Sequence, residues 1–461
     1  MVASLFVRMD SDPFKVMAAV LMFLCAVSIC GFVFPVAHLP FLFVILGTVA
    51  FGRSFSLIHF QVKGIPLYIT EIAIGASLAL LVMKGRKFFR QFDAPIPTGL
   101  TVSLFVYFIL GLMYTLLGIK GNGSAAFRDI TFCLYLVVLF IMFGVFSTSR
   151  RIKSFLIYLL PAVGVLLFIG FIRFFVFIPG GTIYRGIVDE LKMTNIGLYC
   201  GFITIFGLAF FTFIQKKAHR YLLAVMIYFA FLFVLMAEVR AAWAGLLITM
   251  ILLGILLKKE FRVFFVFLAL MVASLFVIDY FRLGVQDRKL ASITEKLTFD
   301  KKKPQATMAS ANIQFRIRLW KHTLKEIQEY PVFGWGYGTQ INYVIWGQEL
   351  YWIRLQDPKM NLVPTHNHLL AITYKMGIVG LLLFLIINLW VFIYGVLNVK
   401  RCITPFGRRF LIAALGSLVY WHGMAFFFDI LESPPTSIFL WIIIAGILAI
   451  VHQEKKIESV V

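Results

Sequence analysis

Charged residues are scarce in this chain. They make up 14% of its 461 residues, whereas an ordinary soluble protein carries roughly 25%. Acidic residues are the scarcer kind, with 21 Asp and Glu against 43 Lys and Arg. Such a composition excludes a soluble domain and a disordered chain, because both need a largely polar surface in water.

Cysteine is scarce as well. The five cysteines lie in or at the edge of apolar runs and lack the spacing of metal ligands, so the sequence predicts neither a metal site nor a disulfide scaffold. The net charge of +22 would suggest a nucleic-acid partner in a soluble protein. In a membrane protein the same excess first indicates orientation, so we expect no nucleic-acid partner.

Long apolar runs are abundant instead. Hydrophobic residues make up 61% of the chain, 51 residues are Phe, and the mean hydropathy is +0.94. A membrane-spanning helix needs about 20 mostly apolar residues. Twelve such runs lie near residues 16–36, 66–83, 98–118, 127–146, 155–178, 194–215, 220–237, 240–257, 263–280, 369–396, 410–429 and 436–452. We predict an all-α, polytopic integral membrane protein with about 12 transmembrane helices.

Six clusters of Lys and Arg orient these runs, because pairs of runs separate the clusters and all six can therefore be cytoplasmic together. The stretch 39–51 is predicted to be a broken or re-entrant segment, since Pro35 and Pro40 interrupt it. Both termini are then cytoplasmic. The predicted organisation is an N-terminal transmembrane bundle (1–280), a large outer loop (281–365) and C-terminal transmembrane helices (366–461).

The outer loop carries 13 Lys and Arg against 7 Asp and Glu, and this excess calls for an anionic partner. Within it, 311–330 reads as an amphipathic helix with an apolar stripe at Ile313, Ile317, Trp320, Leu324 and Ile327. Arg316 is predicted to flank the packed face and Arg318 to point to solvent. Pro331 should end the helix, and Gly334 to Gly338 should form a flexible turn.

Two further motifs could carry chemistry. His366 and Asn367 stand at the outer end of a predicted span and are followed by Gly377 and Gly380; a histidine there can act as a base near neutral pH. The alternative is an interfacial histidine with helix-packing glycines. Arg240 lies between two apolar runs, where an arginine is costly unless something anionic pairs with it. That partner could be a ligand phosphate or simply Glu238.

In this order the motifs resemble the O-antigen ligase and O-antigen polymerase family, membrane glycosyltransferases of the GT-C class. The matching features are Arg240 in an outer hairpin, R-x-x-x-W at Arg316 followed by P-x-x-G-x-G-x-G at Pro331, and H-N-x9-G-x-x-G at His366. The resemblance covers roughly 180–395. One departure is Glu238, where related sequences often have a small hydroxyl residue, and a carboxylate there could compete with phosphate for Arg240.

The resemblance implies that a glycan moves from undecaprenyl pyrophosphate to a sugar hydroxyl at the periplasmic face of the bacterial inner membrane. The acceptor would be lipid A-core in O-antigen ligation, or a growing glycan in polymerisation of O-antigen or exopolysaccharide repeats. His366 would be the general base, with Arg240 and Arg316 stabilising the leaving group. Further substrate-binding candidates are Arg185, Arg318, Glu238 and Asn367. No metal or other cofactor is expected, and membrane lipid is the remaining partner.

Two other classes of function remain open. A transporter or flippase of an anionic lipid-linked oligosaccharide would suit the basic loop, but it should show internal repeats, and no clear repeat is present. A non-catalytic membrane anchor would leave His366 and the two arginines unexplained.

Overall fold

The computed structural model describes the chain in several stretches. They are residues 34–52, 55, 58–62, 65–83, 96–123, 125–175, 193–237, 239–257, 269, 273, 308–339, 341, 365–428, 431 and 434–459. Most of the large loop, including 281–307 and 342–364, lies outside these residues.

The described residues are almost entirely helical. The helices are α1 (Leu39–Phe51), α2 (Ile69–Met83), α3 (Thr98–Asn122), α4 (Ala125–Asp129), α5 (Thr131–Leu134), α6 (Val137–Val145), α7 (Ser149–Phe175), α8 (Met193–Phe211), α9 (Lys217–Met236), α10 (Arg240–Leu257), α11 (Met308–Glu329), α12 (His368–Val399), α13 (Pro405–Ala425) and α14 (Pro434–Glu458). Strands β1 (His59–Val62) and β2 (Ile65–Tyr68) pair as one antiparallel hairpin.

Several of these helices are suited to a bilayer. Five of those described are long and apolar enough to cross a membrane, in α3, α7, α9, α12 and α14, and the bent run α4 to α6 would make a sixth. Shorter apolar helices lie at 36–51, 69–83, 196–211 and 241–257. The all-α membrane class is thereby confirmed. The count of twelve spans stays a prediction, as do the boundaries at 280 and 365, because most of the runs 16–36 and 263–280 lies outside the described residues.

The segment predicted to be broken or re-entrant contains the continuous helix α1, so the predicted break at Pro40 is wrong, while a re-entrant path stays a prediction. Pro40 occupies the first turn of this helix, where a backbone N–H has no intrahelical partner and proline's fixed φ suits the helix. At 13 residues, α1 extends about 20 Å and is too short to cross a bilayer unaided. The hairpin that follows it was not predicted from the sequence.

Helices α10 and α13 pack closely and antiparallel. A Cβ added at Gly423 would lie 2.7 Å from the Cα of Gly245, and Thr249 donates a hydrogen bond to the carbonyl of Gly416 over 3.3 Å. The start of α10 therefore lies beside the end of α13. We call this end of the bundle the site end.

Helix α12 folds back on itself at Gly377. The backbone there is non-helical, with φ 64° and ψ −168°, a conformation that glycine adopts readily. His368 and Phe384 would be about 24 Å apart in a straight helix, yet their ring centroids are 5.7 Å apart. Helix α12 is thus a short arm (368–376) and a long arm (378–399) that run back along each other. The sequence prediction treated it as one straight span.

Candidate active site

The first turn of α10 brings Arg240 to the site end. Gly245 faces Gly423 across the α10–α13 contact. Arg240 lies five residues, about 7.5 Å of helix rise, before Gly245 in α10, and α13, which runs antiparallel to it, ends at Ala425, two residues after Gly423. The backbone of Arg240 therefore lies near the residues that follow α13. Its side chain lies outside what the structure describes.

Helix α11 is anchored to the same place by two side chains one helical turn apart. Arg316 donates from Nη1 to the carbonyl of Phe427 over 3.3 Å, and its guanidinium lies 5.0 Å from the ring centre of Phe428. Trp320 donates from Nε1 to the carbonyl of Thr365 over 2.9 Å. Since Thr365 precedes His366, these bonds bring Arg316 and His366 to one end of the bundle.

The packed face of α11 differs from the predicted stripe. Ile327 of the predicted stripe is buried, and Trp320 is partly buried. Leu319 and Thr323, outside the stripe, are fully buried, whereas Ile317 and Leu324 of the stripe are 45% and 49% exposed. On a helical wheel the packed face is rotated by about 80° from the stripe. Arg316 is consequently close to the centre of the packed face rather than at its flank, while Arg318 points outward as predicted.

His366 has an unusual backbone. Its φ is +50°, and it is the single non-glycine residue with positive φ in the described part of the chain. Such a conformation is disfavoured by roughly 1–3 kcal/mol and often occurs at functional sites. Its neighbours hold it there, because the hydroxyl of Thr365 donates to the carbonyl of Asn367 over 2.9 Å.

Asn367 caps the short arm. Its side-chain oxygen accepts hydrogen bonds from the backbone N–H groups of Leu369 (2.9 Å) and Leu370 (3.1 Å), and the residue is buried. An N-cap of this kind is worth about 1 kcal/mol. The candidate catalytic residue His366 is therefore followed directly by Asn367, which fixes the start of the short arm. A direct contact of Asn367 with substrate remains a prediction.

The short arm places the residues at its start, including His366, below the top of the long arm. His368, which is buried, contacts the ring of Phe384, and its centroid is 5.6 Å from that of His422. Phe384 lies six residues, about 9 Å, along the long arm from Ile378. His368 is therefore about one and a half turns below the top of the long arm, and His366 is two residues away from it.

The segment Pro331–Gly338, which we call the glycine turn, caps both sides of the break in α12. Trp335 and Gly336 donate backbone N–H groups to the carbonyls of Tyr374 and Lys375, over 2.8 and 3.0 Å. In return, Ile378 and Val379 donate backbone N–H groups to the carbonyls of Pro331 and Val332, over 2.9 and 3.3 Å. The turn satisfies polar groups that the break would leave unpaired, which is essential in an apolar setting. It is thus a docked element rather than the flexible turn we expected.

Glycine is required on both sides of this contact. A Cβ at Gly377 would collide with the carbonyl of Val332, and one at Gly334 would lie 2.5 Å from the backbone nitrogen of Gly377. Both residues also have positive φ. The two glycine motifs of the sequence therefore meet each other, backbone against backbone, instead of serving separate helix contacts.

A buried ion pair holds the far side of the glycine turn. Lys375 in the short arm lies 2.5 Å from one carboxylate oxygen of Asp129 in α4, and the other oxygen accepts the backbone N–H of Gly338 over 2.8 Å. Asp129 and Lys375 are only 3% and 8% exposed. The pair links three segments that are distant in sequence.

The structure brings some of the predicted site residues together. The bonds of Arg316 and Trp320 connect α11 to the end of α13 and to the residue before His366, and α10 begins at Arg240 beside the end of α13, whereas Arg318 is exposed on the outer side of α11. Arg185 and Glu238 lie outside the described residues. In the described part of the chain, no three His, Cys, Asp or Glu side chains converge as in a metal site.

Sequence reasoning assigned no role to Asp129 or Lys375, and it placed Trp320 in the apolar stripe and in the R-x-x-x-W motif without predicting its bond to Thr365. The two charged residues carried a usable signal, because each is an ionisable residue inside a predicted apolar run, and such residues usually have a partner.

Comparison with known proteins identifies the central part of the chain. Residues 224–385 match the family described as O-antigen ligase. The match contains Arg240, Arg316 and His366, and it confirms the family resemblance drawn from the sequence motifs. No curated protein matches the chain. The family and the apolar helices together indicate a multi-pass membrane enzyme that transfers glycans.

Proposed function

Because residues 224–385 match the O-antigen ligase family, we propose that this protein transfers a glycan from undecaprenyl pyrophosphate to a sugar hydroxyl at the periplasmic face of the bacterial inner membrane. The acceptor is lipid A-core or the end of a growing glycan. The observation that carries the proposal is the pair of anchors on α11, which join Arg316 to the end of α13 and Trp320 to the residue before His366.

In the proposed reaction the acceptor hydroxyl attacks the anomeric carbon of the donor sugar from the side opposite the pyrophosphate. The new C–O bond forms as the bond from that carbon to the phosphate oxygen breaks. His366 takes the hydroxyl proton as general base. The electron pair of the broken bond leaves with undecaprenyl pyrophosphate, and the anomeric configuration inverts.

The leaving group gains negative charge during this step, and the site end offers positive charge to stabilise it. Arg316 and Arg240 supply guanidinium groups, which suit phosphate because they can form two parallel hydrogen bonds. Helix α10 begins at Arg240, so the positive end of its dipole lies at the same place. In a site with little water these charges act strongly.

The site can be tested by substitution in the purified enzyme, with conversion of a carrier-linked glycan donor and a sugar acceptor as the readout. His366→Asn is preferable to alanine, because asparagine tolerates the positive φ and the loss then reports the imidazole. We expect turnover to fall by roughly 10²- to 10⁴-fold in this variant. We expect a fall of roughly 10²- to 10³-fold in Arg240→Ala and Arg316→Ala.

Arg401→Ala is the matched control, since Arg401 is an exposed arginine beyond the far end of α12. Full turnover in all three site variants would refute the proposal. Lipid-linked intermediates in cells lacking the gene separate the two uses of the reaction. Accumulated long chains on the carrier indicate a ligase, and accumulated single repeats indicate a polymerase.

A further inference from the structure

Helix α11 has a second apolar edge, which the described part of the chain leaves exposed. Ile317 and Leu324 are 45% and 49% exposed, and on the helical wheel they lie within about 20° of each other and about 110° from the centre of the packed face. Two large apolar side chains exposed on one edge of a helix that already has a packed face call for an apolar neighbour.

The glycine turn extends this edge to the surface of α12. Val332 and Phe333 are 48% and 61% exposed. They stand beside the first residues of the long arm, since Ile378 and Val379 donate hydrogen bonds to the carbonyls of Pro331 and Val332.

The long arm identifies the neighbour. Its 22 residues carry no charge and extend about 33 Å, enough to cross the hydrocarbon core. Its exposed side chains begin at Ile378 and continue through Leu382 and Leu389, whereas no residue of the short arm is exposed. In a membrane-spanning helix those exposed side chains contact acyl chains. The turn bonded to the top of the arm therefore lies at the edge of the hydrocarbon.

The remaining edge of α11 is predominantly basic. Arg318, Lys321 and Lys325 are exposed and lie between about 140° and 200° from Arg316 on the wheel. One carboxylate, Glu329, is exposed at the margin of this edge. An amphipathic helix with apolar side chains on one side and Lys or Arg on the other is suited to the interface of a bilayer that contains anionic lipids.

We propose that α11 and the glycine turn are embedded in the outer leaflet of the membrane and bind its phospholipid. The apolar edge (Ile317, Leu324, Val332 and Phe333) contacts acyl chains, and the basic edge contacts anionic headgroups. The large loop is then not wholly in water, because its central helix is a lipid-binding element. This contact does not depend on the proposed transfer reaction.

The experiment uses the full chain in proteoliposomes of phosphatidylethanolamine and phosphatidylglycerol. Single cysteines at Leu324, Phe333 and Glu329, in a variant whose native cysteines are replaced, are labelled with an environment-sensitive fluorophore. Glu329 is the matched control, since it is exposed on α11 about 140° from Leu324. We expect lipids brominated on the acyl chain to quench the labels at Leu324 and Phe333, and aqueous iodide to quench the label at Glu329.

Iodide quenching at Leu324 without quenching by brominated lipid would overturn the proposal, because the edge would then lie in water. Quenching by neither agent would also overturn it and would indicate a covering protein surface, such as a second copy. Turnover is measured on the same samples. Acyl-chain quenching in a His366→Asn protein that no longer transfers glycan would support the lipid contact independently of the reaction.

The basic edge has its own test. Replacing phosphatidylglycerol by phosphatidylcholine should reduce acyl-chain quenching at Leu324 in the parent chain. In Lys321→Gln/Lys325→Gln the quenching should be lower and insensitive to this replacement. Equal sensitivity to phosphatidylglycerol in both proteins would exclude a role of these lysines in headgroup binding.

Discussion

Replacing Asp129 by Asn, or Lys375 by Met, should destabilise the protein by roughly 3–5 kcal/mol, because either change leaves an unpaired charge in a buried site. The geometry shows what each change removes. The two carboxylate oxygens of Asp129 bind Lys375 at 2.5 Å and the backbone N–H of Gly338 at 2.8 Å. Asparagine keeps an acceptor for that N–H, so Asp129→Asn acts chiefly by removing the negative charge that faces Lys375.

The double variant Asp129→Asn/Lys375→Met should be milder than either single change. It removes both charges, an amide oxygen can still accept the N–H of Gly338, and a methionine can fill the space over the ring of Phe132, which now lies 5.2 Å from the ammonium group. Replacing both members of a buried pair is often close to neutral. We therefore expect a loss below about 2 kcal/mol and a double-mutant coupling of at least about 1 kcal/mol.

The assay is unfolding in detergent micelles, followed by tryptophan fluorescence as denaturant is added. Lys400→Met is the control, since it makes the same chemical change at an exposed lysine at the end of α12 and should alter the unfolding free energy by less than about 0.5 kcal/mol. The reasoning fails if both single variants stay within about 1 kcal/mol of the parent, or if the losses in the double variant simply add.

Two further predictions concern Gly377, where α12 reverses, and the thiol of Cys402, beyond the other end of α12. Gly377→Ala should abolish turnover and lower stability, because the added methyl would collide with the glycine turn and the backbone of residue 377 has positive φ. Gly164→Ala, at a helical glycine with open space around it, should change neither. Equal behaviour of the two variants would contradict the docked turn. Burial, followed by the nearby Glu454 carboxylate, raises the pKa of the Cys402 thiol from 9.0 to about 12. A variant with Cys402 as its single cysteine should therefore react with iodoacetamide at pH 9 much more slowly when folded than in SDS. Because the thiol ionises first in the unfolded chain, stability should fall as the pH rises from 9 towards 12. Equal alkylation rates in the folded and SDS-unfolded states would contradict the raised pKa of Cys402.

The sequence was sufficient for some parts of the fold and misleading for others. Helix α11 was predicted within three residues of its bounds, Met308–Glu329, because a strong 3.6-residue period ends at Pro331. The orientation of the helix was wrong by about 80°. An apolar stripe reports where a helix avoids water, which contact with lipid achieves as well as contact with protein, and Ile317 and Leu324 are about half exposed in the described part of the chain.

The fold-back of α12 was missed for a related reason. Gly377 lies within an apolar run, and hydropathy shows that the run is apolar without showing whether the helix reverses within it. The partner that makes the reversal possible, the glycine turn, is distant in sequence and carries no apolar signal. Asp129 and Lys375 are different, because each is visible in the sequence as a charge within an apolar run. A lone charge there is costly, so the two residues could have been predicted to pair with each other.

The reversal at Gly377 also decides how α12 counts in the topology of the chain. Its short arm is nine residues long, about 14 Å, and cannot cross a bilayer. Thr365 and Ile378 must then lie on one side of the membrane, and α12 contributes one crossing even though its path runs in two directions. A reporter enzyme fused at either position reports the same compartment, so the sidedness of every later helix follows from the long arm alone.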